Sequence, residues 1–295
     1  MKIRFSYFIP FLIGLTLSTI LGFTVWKIFF FIFSYIGFCI SLGQILEAKF
    51  KITDIGRRIA ILMICPLFIV FFGLIQRENM QLEETVFYFT YFLSAGIFAR
   101  VLIHYAIAKV FGPLIWGRGF CGWACWTAAI LEWLPIKTNC KIPSKYTLFK
   151  IPVFAASILI PFFFIKSGYD YMQGHIIGSD LTIIQSAKFD QLILFICGNA
   201  LYYVSAVILA FAFGKKRAFC KILCPVSLVM KIPSRFARIK KYPSGKKCIE
   251  CGKCSASCPM DVDVMSYIRD GKAVTSTECI LCGICSTVCP AEAIN

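Results

Sequence analysis

The stretch from Cys248 to Pro290 constrains this chain more than any other. It reads KCIECGKCSASCPM, then about twenty residues, then ECILCGICSTVCPA. Each half is Cys-x2-Cys-x2-Cys-x3-Cys-Pro, with no mismatch in spacing. In this pattern three thiolates on a tight turn reach three corners of one [4Fe-4S] cube. The fourth is carried onto a short helix and reaches the other cube. The expected ligand sets are Cys248, Cys251, Cys254 and Cys289 for one cluster, and Cys279, Cys282, Cys285 and Cys258 for the other. Gly252 and Gly283 permit the turns, and Pro259 and Pro290 end the loops without offering an N–H. A zinc site pairs two Cys-x2-Cys knuckles and does not use this triple spacing. A disulfide framework needs an oxidising compartment.

What surrounds that stretch is too apolar for a soluble domain. Of 295 residues, 59% are hydrophobic and the mean hydropathy is +0.77, the range of a polytopic membrane protein with a small soluble tail. The net charge of +16 does not point to nucleic acid. From Lys246 onward the tail carries five basic and six acidic side chains, so the excess lies in loops between apolar segments. A span needs about 20 apolar residues, and six stretches qualify: about 6–25, 28–46, 58–76, 86–108, 148–167 and 191–213. The short basic N-terminus (Lys2, Arg4) leads into the first without a small-x-small cleavage site, which reads as an uncleaved span. Trp26 and Lys27 suit a membrane interface.

Loop charge sets the orientation. Segments 47–57, 109–147 and 214–247 are rich in Lys and Arg, whereas 77–85 and 168–190 are acidic by comparison. The positive-inside rule then places both termini in the cytoplasm. The expected architecture is an all-α polytopic membrane bundle of about six spans over residues 1–240. A small α+β, two-cluster bacterial-type ferredoxin domain follows over 241–295. The setting is the inner membrane of a prokaryote, with the ferredoxin domain in a reducing cytoplasm that keeps thiols free.

A second cysteine signal lies in two loops of that same side. Arg118-Gly119-Phe120-Cys121-Gly122-Trp123-Ala124-Cys125 and Arg217-Ala218-Phe219-Cys220-Lys221-Ile222-Leu223-Cys224 are both Arg-x-Phe-Cys-x3-Cys. On a helix, i and i+4 put both thiols of a pair on one face. Cys121, Cys125, Cys220 and Cys224 together offer four thiolates for a third metal or iron–sulfur centre, or two redox dithiols. Small apolar packing residues are the plain alternative. Cys39, Cys65 and Cys197 stand singly inside spans, as packing residues do. The 109–134 segment is too short in apolar residues to span, so it lies at the interface or dips in.

Spans, a Cys-x3-Cys loop, further spans, a second such loop ending in Pro225, and the double cluster motif make an order that resembles the NapH-type membrane ferredoxins. Relatives are of the NosH, MauN, NosR and CcoG types. The resemblance runs from about Arg57 to the end of the sequence; Trp126 stands where the family has Pro. It implies an electron-transfer subunit rather than a complete enzyme, the membrane subunit of a quinol dehydrogenase. Its cofactors are two [4Fe-4S] clusters, its exchangeable substrate is a quinone, and its partner is an iron–sulfur or cytochrome subunit. The alternative is a membrane ferredoxin reductase that serves maturation or metal-cofactor reduction for a respiratory enzyme.

For the quinone, Arg100 and His104 share a helix face at i, i+4, and ionisable residues within a span are functional candidates. His175, with Asp170 and Asp180, is a candidate in the opposite loop. Two histidines in all leave little scope for a bis-His haem across the membrane, so a b-type haem is not expected, and there is no Cys-x-x-Cys-His for an attached one. Neither Gly-x-Gly-x-x-Gly nor a P-loop is present, so nucleotide chemistry is not expected.

Overall fold

The structure, a computed structural model, describes residues 5–25, 27–50, 54–96, 99, 101–169, 176–177, 184–185 and 189–295. Long apolar runs force the chain into helices, because only a helix satisfies its own backbone where water is absent. After a 3-10 turn at Phe5–Phe8 come α1 (Ile9–Thr24) and α2 (Phe29–Phe50), packed as a hairpin. Next is α3 (Ile55–Ile75), which passes from α-helix to π-helix after Pro66. α8 (Lys150–Lys166) and α9 (Phe189–Ala212) are the other long helices. Among the described residues, five helices are long and apolar enough to cross a membrane: Phe5–Thr24, Phe29–Phe50, Ile55–Ile75, Ser144–Lys166 and Gln191–Ala212. Their outer faces leave large apolar side chains uncovered, such as Phe23, Leu159, Phe163 and Leu201. That is the surface a bilayer covers.

The expectation of six spans is corrected at the fourth. Residues 86–108 do not form one helix. α4 (Leu82–Ala95) ends at Gly96, whose φ of 67° is a left-handed cap with its N–H on the Phe92 carbonyl at 3.1 Å. The chain restarts as α5 (Val101–Trp116), too short to cross alone. α4 also starts early: Glu78, Asn79, Gln81 and Glu84, expected in an exposed loop, are buried.

Beyond α5, two short helices, α6 (Gly119–Trp123) and α7 (Trp126–Leu131), fold into the bundle. Trp126 anchors them: its Nε1 donates to Asn199 Oδ1 of α9 at 3.0 Å, and its carbonyl accepts from Tyr203 at 3.0 Å. The segment that hydropathy left outside the spans is thus tied to α9 by side-chain hydrogen bonds. A two-stranded hairpin, β1 (Ile176–Ile177) and β2 (Ile184–Gln185), precedes α9. After α9 come α10 (Ala218–Ile222) and α11 (Val226–Ser234). The tail holds α12 (Lys253–Ala256), α13 (Val264–Arg269) and α14 (Ile284–Thr287). In place of the expected α+β pattern it shows one isolated antiparallel bridge, Pro243 to Ile294.

Candidate metal centres and the docked tail

The tail is built twice over. Gly252 and Gly283 carry φ of 71° and 81°, the left-handed turn each cysteine loop needs before its short helix. Their neighbours repeat in kind: Glu250 and Leu281 have positive φ, as do Asp261 and Glu292. The Val262 N–H points at Cys258 Sγ (3.4 Å) and the Ala293 N–H at Cys289 Sγ (3.3 Å). The two halves close around two cavities. One is lined by Cys258, Cys279, Cys282 and Cys285. The other is lined by Cys248, Cys251, Cys254 and Cys289. Each cavity thus gathers three cysteines from one half and the fourth from the other. Four soft thiolates around an otherwise apolar hollow is a donor set that fits a [4Fe-4S] cluster.

The two cavities differ in setting. Cys251 is exposed and Ile249 beside it is 62% accessible, whereas the Cys279–Cys285 loop lies on the membrane bundle. A Cβ on Gly122 would sit 2.1 Å from the Ile280 carbonyl oxygen, so glycine is needed for the close approach. Trp123 Nε1 donates to the Leu281 carbonyl at 3.0 Å. Two tail carboxylates flank the same cavity. Glu278 pairs with Arg118 and with Lys231 (2.5 Å), with Lys150 at 3.7 Å. Asp261 pairs with Lys215 and Lys221, both at 2.6 Å, and accepts the Ile142 N–H. Burial opposes charge on Glu278, but Arg118 and Lys150 outweigh it and hold the carboxyl down at about 2. The same balance holds Asp261 below its ordinary range.

The two Arg-x-Phe-Cys-x3-Cys loops meet at this junction. Cys121 and Cys220 both pack against the tail's apolar core. Cys224 lies within electrostatic reach of Cys220, Cys121 and Cys125, so the four thiols form one group. Three buried cations surround it. Lys109 Nζ sits 3.2 Å over the Phe120 ring and feels Cys125, Cys121 and Cys224. Arg217 lies beside Cys220 and Cys125, and Arg118 beside Cys121, Cys220 and Cys224. Arg118 is fully buried, yet its Nε and Nη2 have no partner among the described residues. Orphaned guanidinium N–H groups and three cations around four thiols fit an anionic thiolate-bound group.

A buried ion cluster fixes the loop backbone. Glu132 takes Arg217 Nε at 2.7 Å and Arg57 Nη2 at 3.1 Å, and Arg57 also pairs with Asp54. The free arms of the two arginines hold the thiol loop: Arg57 Nη1 donates to the Gly122 carbonyl at 2.9 Å, and Arg217 Nη1 to the Cys121 carbonyl at 2.8 Å. Burial works against the Glu132 charge, but Arg217 and Arg57 hold its carboxyl at about 2.

His104 lies among rings, 4.7 Å from Phe29, 4.8 Å from Phe72 and 5.9 Å from Phe33. Arg100, His175, Asp170, Asp180 and Trp26 lie outside the described residues. Sequence reasoning missed Lys109, Glu132, Asp261 and Glu278. A lysine inside an apolar run was the one visible signal among them.

Comparison with known proteins accords with this geometry. A 4Fe-4S dicluster domain profile matches residues 240–291, and a 4Fe-4S binding domain profile matches twice, at 102–138 and 200–243. The chain carries 4Fe-4S binding domains. It is similar to the Escherichia coli (strain K12) protein named "Putative electron transport protein YccM", 25% identical over 182 residues, 55% of this chain and 47% of the relative. It therefore spans about half the length of that relative. It is also similar to an uncharacterized protein of Methanocaldococcus jannaschii, MJ0749, 24% identical over 233 residues, 79% of this chain and 82% of the relative. No solved structure matches the chain.

Proposed function

We propose that the chain is the membrane subunit of a quinol dehydrogenase of the NapH, NosH and MauN type. It holds two [4Fe-4S] clusters on the cysteine sets of the two tail cavities, and a third metal or iron–sulfur centre on Cys121, Cys125, Cys220 and Cys224. When bound, these groups supply one-electron carriage between a hydroquinone in the bilayer and a partner iron–sulfur or cytochrome subunit. The observation that carries the reading is the seating of the Ile280–Leu281 loop on Gly122 and Trp123, which brings the inner tail cavity against the four membrane thiols. Asp261 and Glu278 hold the tail in that register, and Lys109, Arg118 and Arg217 offset the negative charge of a thiolate-bound centre. The exposed face at Ile249 and Cys251 is the one a soluble partner reaches. Loop charge orients the tail to the cytoplasm.

Iron per protein and electron paramagnetic resonance on anaerobic material test this. The two tail clusters alone give about eight irons. Wild type above eight, with a fall to eight when Cys121, Cys125, Cys220 and Cys224 are changed to serine, establishes the third centre. Eight irons in both removes an iron-containing third centre. Reduction of the clusters by a water-soluble hydroquinone supports the dehydrogenase. Reduction by a strong low-potential donor alone favours the maturation or metal-cofactor reductase instead.

A further inference from the structure

Glu83 stands in the first turn of α4, where the sequence reads as an acidic loop. The structure puts it among spanning helices instead. Ser157 of α8 donates to its Oε1 at 2.7 Å, and Tyr202 of α9 donates to the same oxygen at 2.8 Å. Both donors lie near the middle of their spans, Ser144–Lys166 and Gln191–Ala212. Glu83 Oε2 is buried and has no partner among the described residues. Tyr105 of α5, 6% accessible, likewise has a buried hydroxyl with no partner, and it lies within electrostatic reach of Glu83. The bundle thus holds an unsatisfied acceptor and an unsatisfied donor within electrostatic reach of each other. Polar groups left so in a low dielectric are costly, and within a span they mark function.

Two further features say what would satisfy them. α8 packs along α4, whereas α9 packs against α3, α7 and α10, so Glu83 bridges two helices held by different neighbours. Glu83 and Tyr202 are half-buried, and the outer faces of the helices around them are apolar. The site also adjoins the thiol group: Tyr105 and Tyr202 both lie within electrostatic reach of Cys224, and the Tyr202 ring is 5.4 Å from that of Phe219, next to Cys220.

We infer that Glu83, Tyr105 and Tyr202 form the ring-oxygen site for a lipid-soluble hydroquinone or quinone. This rests on the quinol reading above and locates it. Glu83 Oε2 accepts from one ring hydroxyl, and the Tyr105 hydroxyl donates to a ring oxygen. Ser157 and Tyr202 fix the carboxylate by occupying its other oxygen.

The test is binding of a fluorescent quinone-site probe, heptyl-hydroxyquinoline N-oxide, to the full-length holoprotein in detergent. Menadiol competes as the natural chemistry. Wild type binds and quenches the probe. Tyr105→Phe deletes only a hydroxyl that has no partner in the free protein, so melting temperature and iron content stay at the wild-type values while affinity falls roughly tenfold. Glu83→Gln lowers affinity roughly ten- to hundredfold. If wild type fails to bind the probe or menadiol, the quinol reading itself falls. If wild type binds and both variants bind equally well, this site is wrong and Glu83 is polar glue between helices. If Glu83→Gln does not fold, Tyr105→Phe alone decides.

Discussion

Gly122→Ala tests the junction between tail and membrane thiols. The new Cβ would lie 2.1 Å from the Ile280 carbonyl oxygen, where real contacts stop near 3.0 Å. Backbone lies on both sides, so the tail loop must retreat by about 0.9 Å or strain must build up. A retreat of that size stretches the 3.0 Å bond from Trp123 Nε1 to Leu281 beyond hydrogen-bonding range. Overpacking costs about 1–3 kcal/mol and a neutral hydrogen bond about 0.5–1.5 kcal/mol. One relieves the other in part, which leaves about 1–3 kcal/mol of weakened docking, or roughly five- to 150-fold in the undocked population. Hydrogen exchange read by mass spectrometry on anaerobic protein reports that population. Peptides over 276–290 and 119–124 should lose protection together and by the same factor. Trp123→Phe, which removes the donor and part of the ring system, should lose at least about 1 kcal/mol in the same two segments. Unchanged protection of 276–290 in Gly122→Ala would refute the claim that this contact seats the tail.

Glu132→Gln leaves two buried guanidinium groups without their shared anion and should destabilise the thiol-loop end of the bundle by about 3–5 kcal/mol, seen as a lower melting temperature in detergent. The same carboxylate sets a pH window. Its folded-state value of about 2 lies below the ordinary 4.5, so its contribution is complete above 4.5 and is lost as pH falls from there toward 2. The wild-type advantage over Glu132→Gln should therefore be flat from pH 8 to 5 and shrink below 4.5; an advantage that grew in acid would reverse the assignment. Cys258→Ser should remove the cluster of the Cys279–Cys285 loop and spare the one at Cys248–Cys254, read as loss of one of two cluster signals and about four irons. Loss of the other signal would mean that the fourth ligands are not exchanged between halves.

The sequence alone determined what is local. Cysteine spacing, turn glycines and closing prolines act within a few residues, so the eight tail cysteines and the paired Arg-x-Phe-Cys-x3-Cys loops were legible without a structure. Apolar runs of spanning length gave most of the helices for the same reason. The fourth span failed because hydropathy averages over a window, whereas Gly96 ends α4 by one left-handed residue. What only the tertiary structure decided is which distant charges face each other. Lys215, Lys221, Lys231 and Arg118 counted in the sequence as positive-inside loop charge, yet they are the sockets for Asp261 and Glu278. Glu83 read as a loop acid, yet its carboxylate is held by Ser157 of α8 and Tyr202 of α9. Composition fixes how many charges a chain carries. Burial and partner geometry, set by contacts far apart in sequence, fix what each charge does.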